Sequence, residues 1–278
     1  MQIGLVLPDH ARWEDVVELA LGAERLGVGS LWLSDLSDLS DLSDDRATTS
    51  AEDAIEPLMA LAGLARVTAV ARLGVLLQAA TRPPAVAAKA LSTIDVLSGG
   101  RVIVGLDERP GAGAAEADAL GEALQVMRGA FGGGPFTFHG RYHRCVGLRS
   151  RPLPVQRPAP PLWMSGSDEG RLALAARHAD GWGPSGSACS RGEYRSLTAS
   201  LDEACEAAGR DPAAIHRFVR REVPAGGIGP LAEDVAAWGE SGVATLMLDR
   251  RGVALRAASG AALEHELEIV ESAVSSAT

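Results

Sequence analysis

Three sets of residues have types and spacings that could do chemistry. The first are proton-transfer groups that follow apolar runs: His10 after Leu5-Val6-Leu7-Pro8-Asp9, Asp35 after Leu31-Trp32-Leu33-Ser34, and Glu108 after Gly105-Leu106-Asp107. An imidazole or a carboxylate held beside a reacting group can give or take its proton. Each also has a plainer reading: Asp9 caps a helix and leaves His10 in solvent, and Asp107-Glu108-Arg109 forms an exposed charged turn. The second set could hold an anion. Ser165-Gly166-Ser167 leads into a helical stretch, so two hydroxyls join the backbone N–H groups of a helix N-terminus. Ser185 could add a donor, and Arg250 and Arg251 could meet an anionic tail, whereas Asp168 and Glu169 would cap the helix themselves. The third set, His139 and His143 with Cys145, has a metal-like spacing. It lies among Phe136, Phe138 and Tyr142, where a structural role in a peripheral hairpin is the stronger reading.

The elements that must position these residues alternate. Apolar runs of strand length occur at 2–7, 30–33, 72–77, 101–106, 161–165, 181–183, 216–223 and 244–248. Segments of helical period follow them at 13–26, 57–68, 84–97, 114–131, 170–178, 191–208, 231–241 and 260–275. Pro57 suits a first helical turn, and Ser98-Gly99-Gly100 supplies a C-cap and turn. Eight strand-then-helix units in about 250 residues predict a (β/α)8 TIM barrel. The expected organisation is one domain over 1–278, with an acidic loop insertion at 34–56 and an irregular peripheral region at 107–160.

Charge is distributed unevenly along the 278 residues. There are 36 acidic and 26 basic residues, a net of −10, and Lys89 is the only lysine. Residues 34–57 hold eight acids against Arg46 alone, a net of −7, so the rest of the chain is close to neutral. Bulk nucleic-acid binding is not expected from that balance. The repeated Ser-Asp-Leu triplets from Ser34 to Leu42 read as a solvated loop, with a lid or a weak calcium loop as alternatives. The calcium spacing fails, because no glycine stands at the turn. Three cysteines without C-x-x-C spacing point to a reduced cytoplasm. The N-terminus reads as a strand, not a signal peptide, and no stretch is apolar enough to span a bilayer.

Several stretches are similar to the bacterial luciferase-like oxidoreductases. They are Ser30-Leu31-Trp32-Leu33-Ser34-Asp35, Arg72-Leu73-Gly74-Val75 and Lys89-Ala90-Leu91-Ser92-Thr93-Ile94-Asp95-Val96-Leu97-Ser98-Gly99-Gly100-Arg101. Pro161-Leu162-Trp163-Met164-Ser165-Gly166-Ser167 and Ala175-Ala176-Arg177-His178-Ala179-Asp180-Gly181-Trp182 match in order and spacing as well as composition.

The resemblance implies a luciferase-like barrel and hydride chemistry on FMN or the deazaflavin coenzyme F420, bound at the C-terminal mouth. It implies catalytic roles for His10, Asp35 and Glu108, and cofactor contacts from Gly74, Val75, Gln78, Ser165, Gly166, Ser167 and Ser185. A strained non-prolyl cis peptide is expected at Gly74-Val75. Two departures stand out. Leu36 occupies the place where relatives carry a histidine, and Asp107-Glu108 replaces a glycine-rich turn. Either His10 takes over the proton transfer, or the chemistry needs no acid there, or the barrel has become a non-catalytic binding subunit. The arginine-rich composition, associated with deazaflavin-using actinobacteria, favours F420 over FMN; with FMN the expected reaction is monooxygenation. A small organic substrate and a homodimer complete the expectation, with neither nucleic acid nor membrane as partner.

Overall fold

The computed structural model describes residues 1–8, 11–35, 55–78, 82–107, 114–222, 231–250 and 260–277. Ten strands form in chain order: β1 (Gln2–Val6), β2 (Ser30–Ser34), β3 (Arg72–Gln78), β4 (Val102–Asp107), β5 (Phe136–His139), β6 (Arg144–Leu148), β7 (Leu162–Ser165), β8 (Gly181–Gly183), β9 (His216–Glu222) and β10 (Thr245–Asp249). The helices are α1 (Trp13–Arg25), α2 (Pro57–Val67), α3 (Pro84–Ser98), α4 (Ala114–Gly132), α5 (Glu169–His178), α6 (Arg191–Ala207), α7 (Leu231–Glu240) and α8 (Gly260–Ala277). Eight strands close into a barrel in the order β1-β2-β3-β4-β7-β8-β9-β10, and β5-β6 is a separate two-stranded sheet. This is the expected TIM barrel, with the peripheral hairpin between α4 and β7.

The described residues form two compact units, interleaved in sequence. The first holds 1–75, 186–191 and 217–278. In it β1 pairs in parallel with β2, Val6 opposite Trp32, and with β10, Gly4 opposite Met247. Trp32 fills the space that glycines leave: a Cβ on Gly4 or Gly74 would press on its indole. Its Nε1–H donates to Ser30 Oγ at 2.9 Å. The cis peptide bonds of the described residues are Arg151-Pro152 and Arg157-Pro158, so the bond expected at Gly74-Val75 is corrected to trans. Gly74 is there because the Trp32 ring occupies the volume of its missing side chain. Helix α1 starts with Arg12 at its N-cap, not Asp9, and Glu56 caps α2 by accepting from Met59 N–H.

The second unit holds 76–185 and 192–216. Trp163 fills the space over Gly181 and stacks on His216 with ring centroids 4.5 Å apart, while Trp182 stacks near Tyr194. Both tryptophans are therefore core residues. Gly99, at φ 71°, closes α3 as its C-cap.

Candidate active site at the strand ends

Buried polar residues concentrate at one end of the strands. Of the sixteen such residues among those described, seven end a strand or follow its last residue, against Ser30 and Thr245 at N-terminal ends. Burying a polar group costs free energy unless it is hydrogen-bonded, so this asymmetry marks the end built for polar work. In the first unit the residues are Ser34 at the end of β2 and Asp35 after it, Arg220 within β9, and Asp249 at the end of β10 with Arg250 after it. Arg220 Nε lies 3.6 Å from Asp249 Oδ2, and both side chains are more than nine-tenths buried. In the second unit they are Gln78, Asp107 and Ser165, the last residues of β3, β4 and β7.

Asp35, Gln78, Ser165 and Gly166 are buried at or just past the ends of their strands, whereas Gly74 and Val75 are buried in the middle of β3. His10, Leu36, Ala79, Glu108 and Arg251, and the Ser-Asp-Leu repeat, lie outside the described residues apart from Ser34 and Asp35. Sequence reading missed Arg220. Its signal was a charged residue inside the strand sequence Phe218-Val219-Arg220-Arg221, which a barrel interior tolerates only beside a counter-charge. Arg250, expected to be available for an anion, is buried.

The Ser165-Gly166-Ser167 turn is held by its own hydrogen bonds. Gly166 N–H donates to Gly183 O, Trp182 Nε1–H donates to Gly166 O, and Ser185 N–H donates to Ser167 Oγ. Gly166 must be glycine, because a Cβ would overlap the Arg171 side chain. Asp168 is the N-cap of α5: its Oδ1 accepts from Arg171 N–H at 3.0 Å and its Oδ2 lies 3.1 Å from Arg171 Nη1. The helix N-terminus beside the two serines thus already holds a carboxylate.

Two of the recognisable motifs turn out to brace the scaffold. Asp95, fully buried, accepts hydrogen bonds from the N–H groups of Val102, Val155 and Gln156 and from Gln156 Nε2. Asp180 Oδ2 accepts from Leu162 N–H and from Arg128 Nη2, joining β7 to α4. Glu122 collects the N–H groups of Arg141, Tyr142 and His143. That carboxylate shapes the turn between His139 and His143 and explains their spacing structurally. Burial opposes its charge, but the N–H bonds and the nearby His143 hold its pKa below the ordinary value.

The luciferase-like monooxygenase family model matches residues 1–227. The chain belongs to that family. A pyrimidine monooxygenase, RutA, from Klebsiella pneumoniae is 36% identical over 140 residues, 45% of this chain and 38% of that one. An FMNH2-dependent dimethylsulfone monooxygenase from Pseudomonas putida is 32% identical over 111 residues, covering 35% of this chain and 30% of that one. These matches span less than two-fifths of the curated relatives' length. The structure of an F420-dependent secondary alcohol dehydrogenase, in complex with an F420-acetone adduct, superposes with a TM-score of 0.81. It is 16% identical and covers 100% of this chain and 99% of that one, a likeness of fold. Luciferase-like enzymes are F420- or FMN-dependent oxidoreductases and monooxygenases. Among the described residues no helix is long and apolar enough to cross a membrane.

Proposed function

We propose that this luciferase-like chain is an F420-dependent oxidoreductase acting on a small organic substrate, one enzyme domain over 1–278 that works as a homodimer in the cytoplasm. The polar ends of β3, β4 and β7 suit the hydrogen-bonding edge of a flavin-type ring: Gln78 both donates and accepts, Asp107 accepts from a ring N–H, and Ser165 adds a hydroxyl. These residues would hold the ring. Bound F420 would supply the hydride donor or acceptor. The chain's own task is to orient ring and substrate and to exclude water from the buried strand ends. In this reading Asp35 is the carboxylate that would hold or move a proton, and His10 would replace the histidine absent at Leu36.

The observation that carries the choice of F420 over FMN is Asp168. FMN ends in a phosphate monoester of charge near −2, whereas the F420 side chain carries a phosphodiester of charge −1. A carboxylate that already caps α5 and pairs with Arg171 opposes the dianion more strongly. The full-length likeness to an F420-dependent dehydrogenase is consistent with this reading. FMN-dependent monooxygenation is the second reading, favoured by the 36% identity to a pyrimidine monooxygenase.

Fluorescence titration with each cofactor tests the proposal. Saturable binding with F420 the tighter ligand is expected. Tighter FMN binding would move the function to the monooxygenase reading, and no binding of either would leave a non-catalytic barrel.

A further inference from the structure

Residues 123–167 contain Arg128, Arg141, Arg144, Arg149, Arg151 and Arg157 and no aspartate or glutamate. The stretch has a net charge of +6 in a chain of net −10, so everything outside it sums to −16. Arg128 is committed to Asp180. The other five are exposed, and no carboxylate among the described residues pairs with them. Arg141 lies over the Tyr142 ring, 5.3 Å from its centroid, and Arg157 turns back onto the carbonyl groups of Pro154 and Gln156. Tyr142, Val146 and Val155 stand exposed in the same stretch.

This surface is ordered before anything binds it. Glu122 fixes the turn that carries Arg141 and Tyr142, and Asp95 fixes the segment that carries Val155 and leads to Arg157. A charged face held by buried or backbone-bonded carboxylates loses little further freedom on binding. It also leaves five exposed arginines within seventeen residues of chain, with no described carboxylate paired to their guanidinium groups, which favours an anionic partner.

We infer that this basic face docks the acidic segment, residues 34–57, of a second copy of the chain. The complementarity is chemical as well as electrostatic. Asp35 is buried and Glu56 caps α2, so six of the segment's eight acids remain for docking, against Arg46 alone, and its triplets place a leucine after Asp35, Asp38 and Asp41 at Leu36, Leu39 and Leu42. The face offers arginines for the carboxylates and Tyr142, Val146 and Val155 for the leucines. A long nucleic acid would extend past the patch onto the rest of the chain, whose charges sum to −16, and be repelled.

Two variants of the full chain test this. One replaces Arg141, Arg144, Arg149 and Arg151 with serine, and the other replaces Asp38, Asp41, Asp44 and Asp45 with asparagine. A labelled peptide of residues 34–57 is titrated against the Asp→Asn chain at 50 and 500 mM NaCl. The expected result is saturable binding at low salt, at least tenfold weaker at high salt and at least tenfold weaker when the four Arg→Ser changes are added. In sedimentation velocity, the two variants mixed should form a complex absent from either alone, because only one acidic segment and one basic face remain between them. Equal peptide binding with and without the arginines, or no complex on mixing, overturns the inference. Tighter arginine-dependent binding of a 20-mer duplex DNA or of phosphatidylserine vesicles than of the peptide overturns it in favour of those partners. Circular dichroism confirms that the exposed substitutions leave the fold intact.

Discussion

The side-chain amide of Gln156 joins two things: its Nε2 donates to Asp95 Oδ1 at 2.7 Å and to Val102 O at 2.8 Å. Together the two residues fasten the irregular segment before β7 to the start of β4. Asp95 bears most of this, because its fully buried carboxylate also accepts three backbone N–H groups. Hydrogen bonds to a charged acceptor each contribute about 1.5–3 kcal/mol. Asp95→Asn turns one acceptor atom into a donor facing N–H groups, so a loss of about 3 kcal/mol is expected in urea unfolding. Gln156→Ala removes only the side-chain arm and should cost about 1–2 kcal/mol. Equal losses in the two variants would contradict this division.

Gly74 meets Trp32 so closely that any side chain displaces the indole. Gly74→Ala is expected to destabilise by about 1–3 kcal/mol through overpacking. Adding Trp32→Phe shrinks the ring and should recover part of the loss, despite the lost bond to Ser30. Additive losses in the double variant would show that the two residues do not share the strain.

Arg220 and Asp249 form a buried pair, so removing either one takes a buried counter-charge from its partner. Arg220→Met should cost about 3–5 kcal/mol, and Asp249→Leu a similar amount. The double variant should be much closer to wild type than the sum of the two. Chemical denaturation of all four chains gives the coupling directly, and a coupling near zero would refute the pairing.

Barrel order was legible because each strand is an apolar run and each helix shows its period, as in residues 72–78 and 84–98. Asp168 was legible as an N-cap, since an aspartate before a helical run offers its carboxylate to the first N–H groups. The roles of Asp95 and Asp180 were not. Their partners lie far along the chain, 60 residues from Asp95 to Val155 and 52 from Asp180 to Arg128, and no local pattern encodes such a pairing. The basic stretch is hidden in a net charge that leaves the chain outside 34–57 close to neutral, and its meaning depends on exposure. Arg128 and Arg141 look alike in sequence, yet only the first pairs its guanidinium with a carboxylate.

His178, half-buried at the end of α5, has its pKa lowered by burial and then by Arg177, Arg128 and Arg210. The folded state therefore binds this proton less readily than the unfolded chain, and stability rises with pH across that interval. The contribution is present above the ordinary value of 6.5 and is lost as the pH falls through the lowered folded value. His178→Gln should flatten the fall in Tm between pH 7.5 and 5. An unchanged slope would mean that the imidazole titrates alike in both states.

Asp168→Asn tests the cofactor argument with little effect on the helix, because asparagine caps as well as aspartate. It removes one negative charge from the turn after β7 while keeping a side-chain oxygen for Arg171 N–H. For a phosphate about 5 Å away in a water-like dielectric, one unit of charge is worth about 0.8 kcal/mol. The dianionic FMN phosphate should gain about 0.8 kcal/mol more than the F420 phosphodiester, roughly a fourfold shift in their ratio of dissociation constants. Raising the ionic strength should shrink that shift. A variant that binds both cofactors with an unchanged ratio would place the phosphate elsewhere, and the preference for F420 would then need another cause.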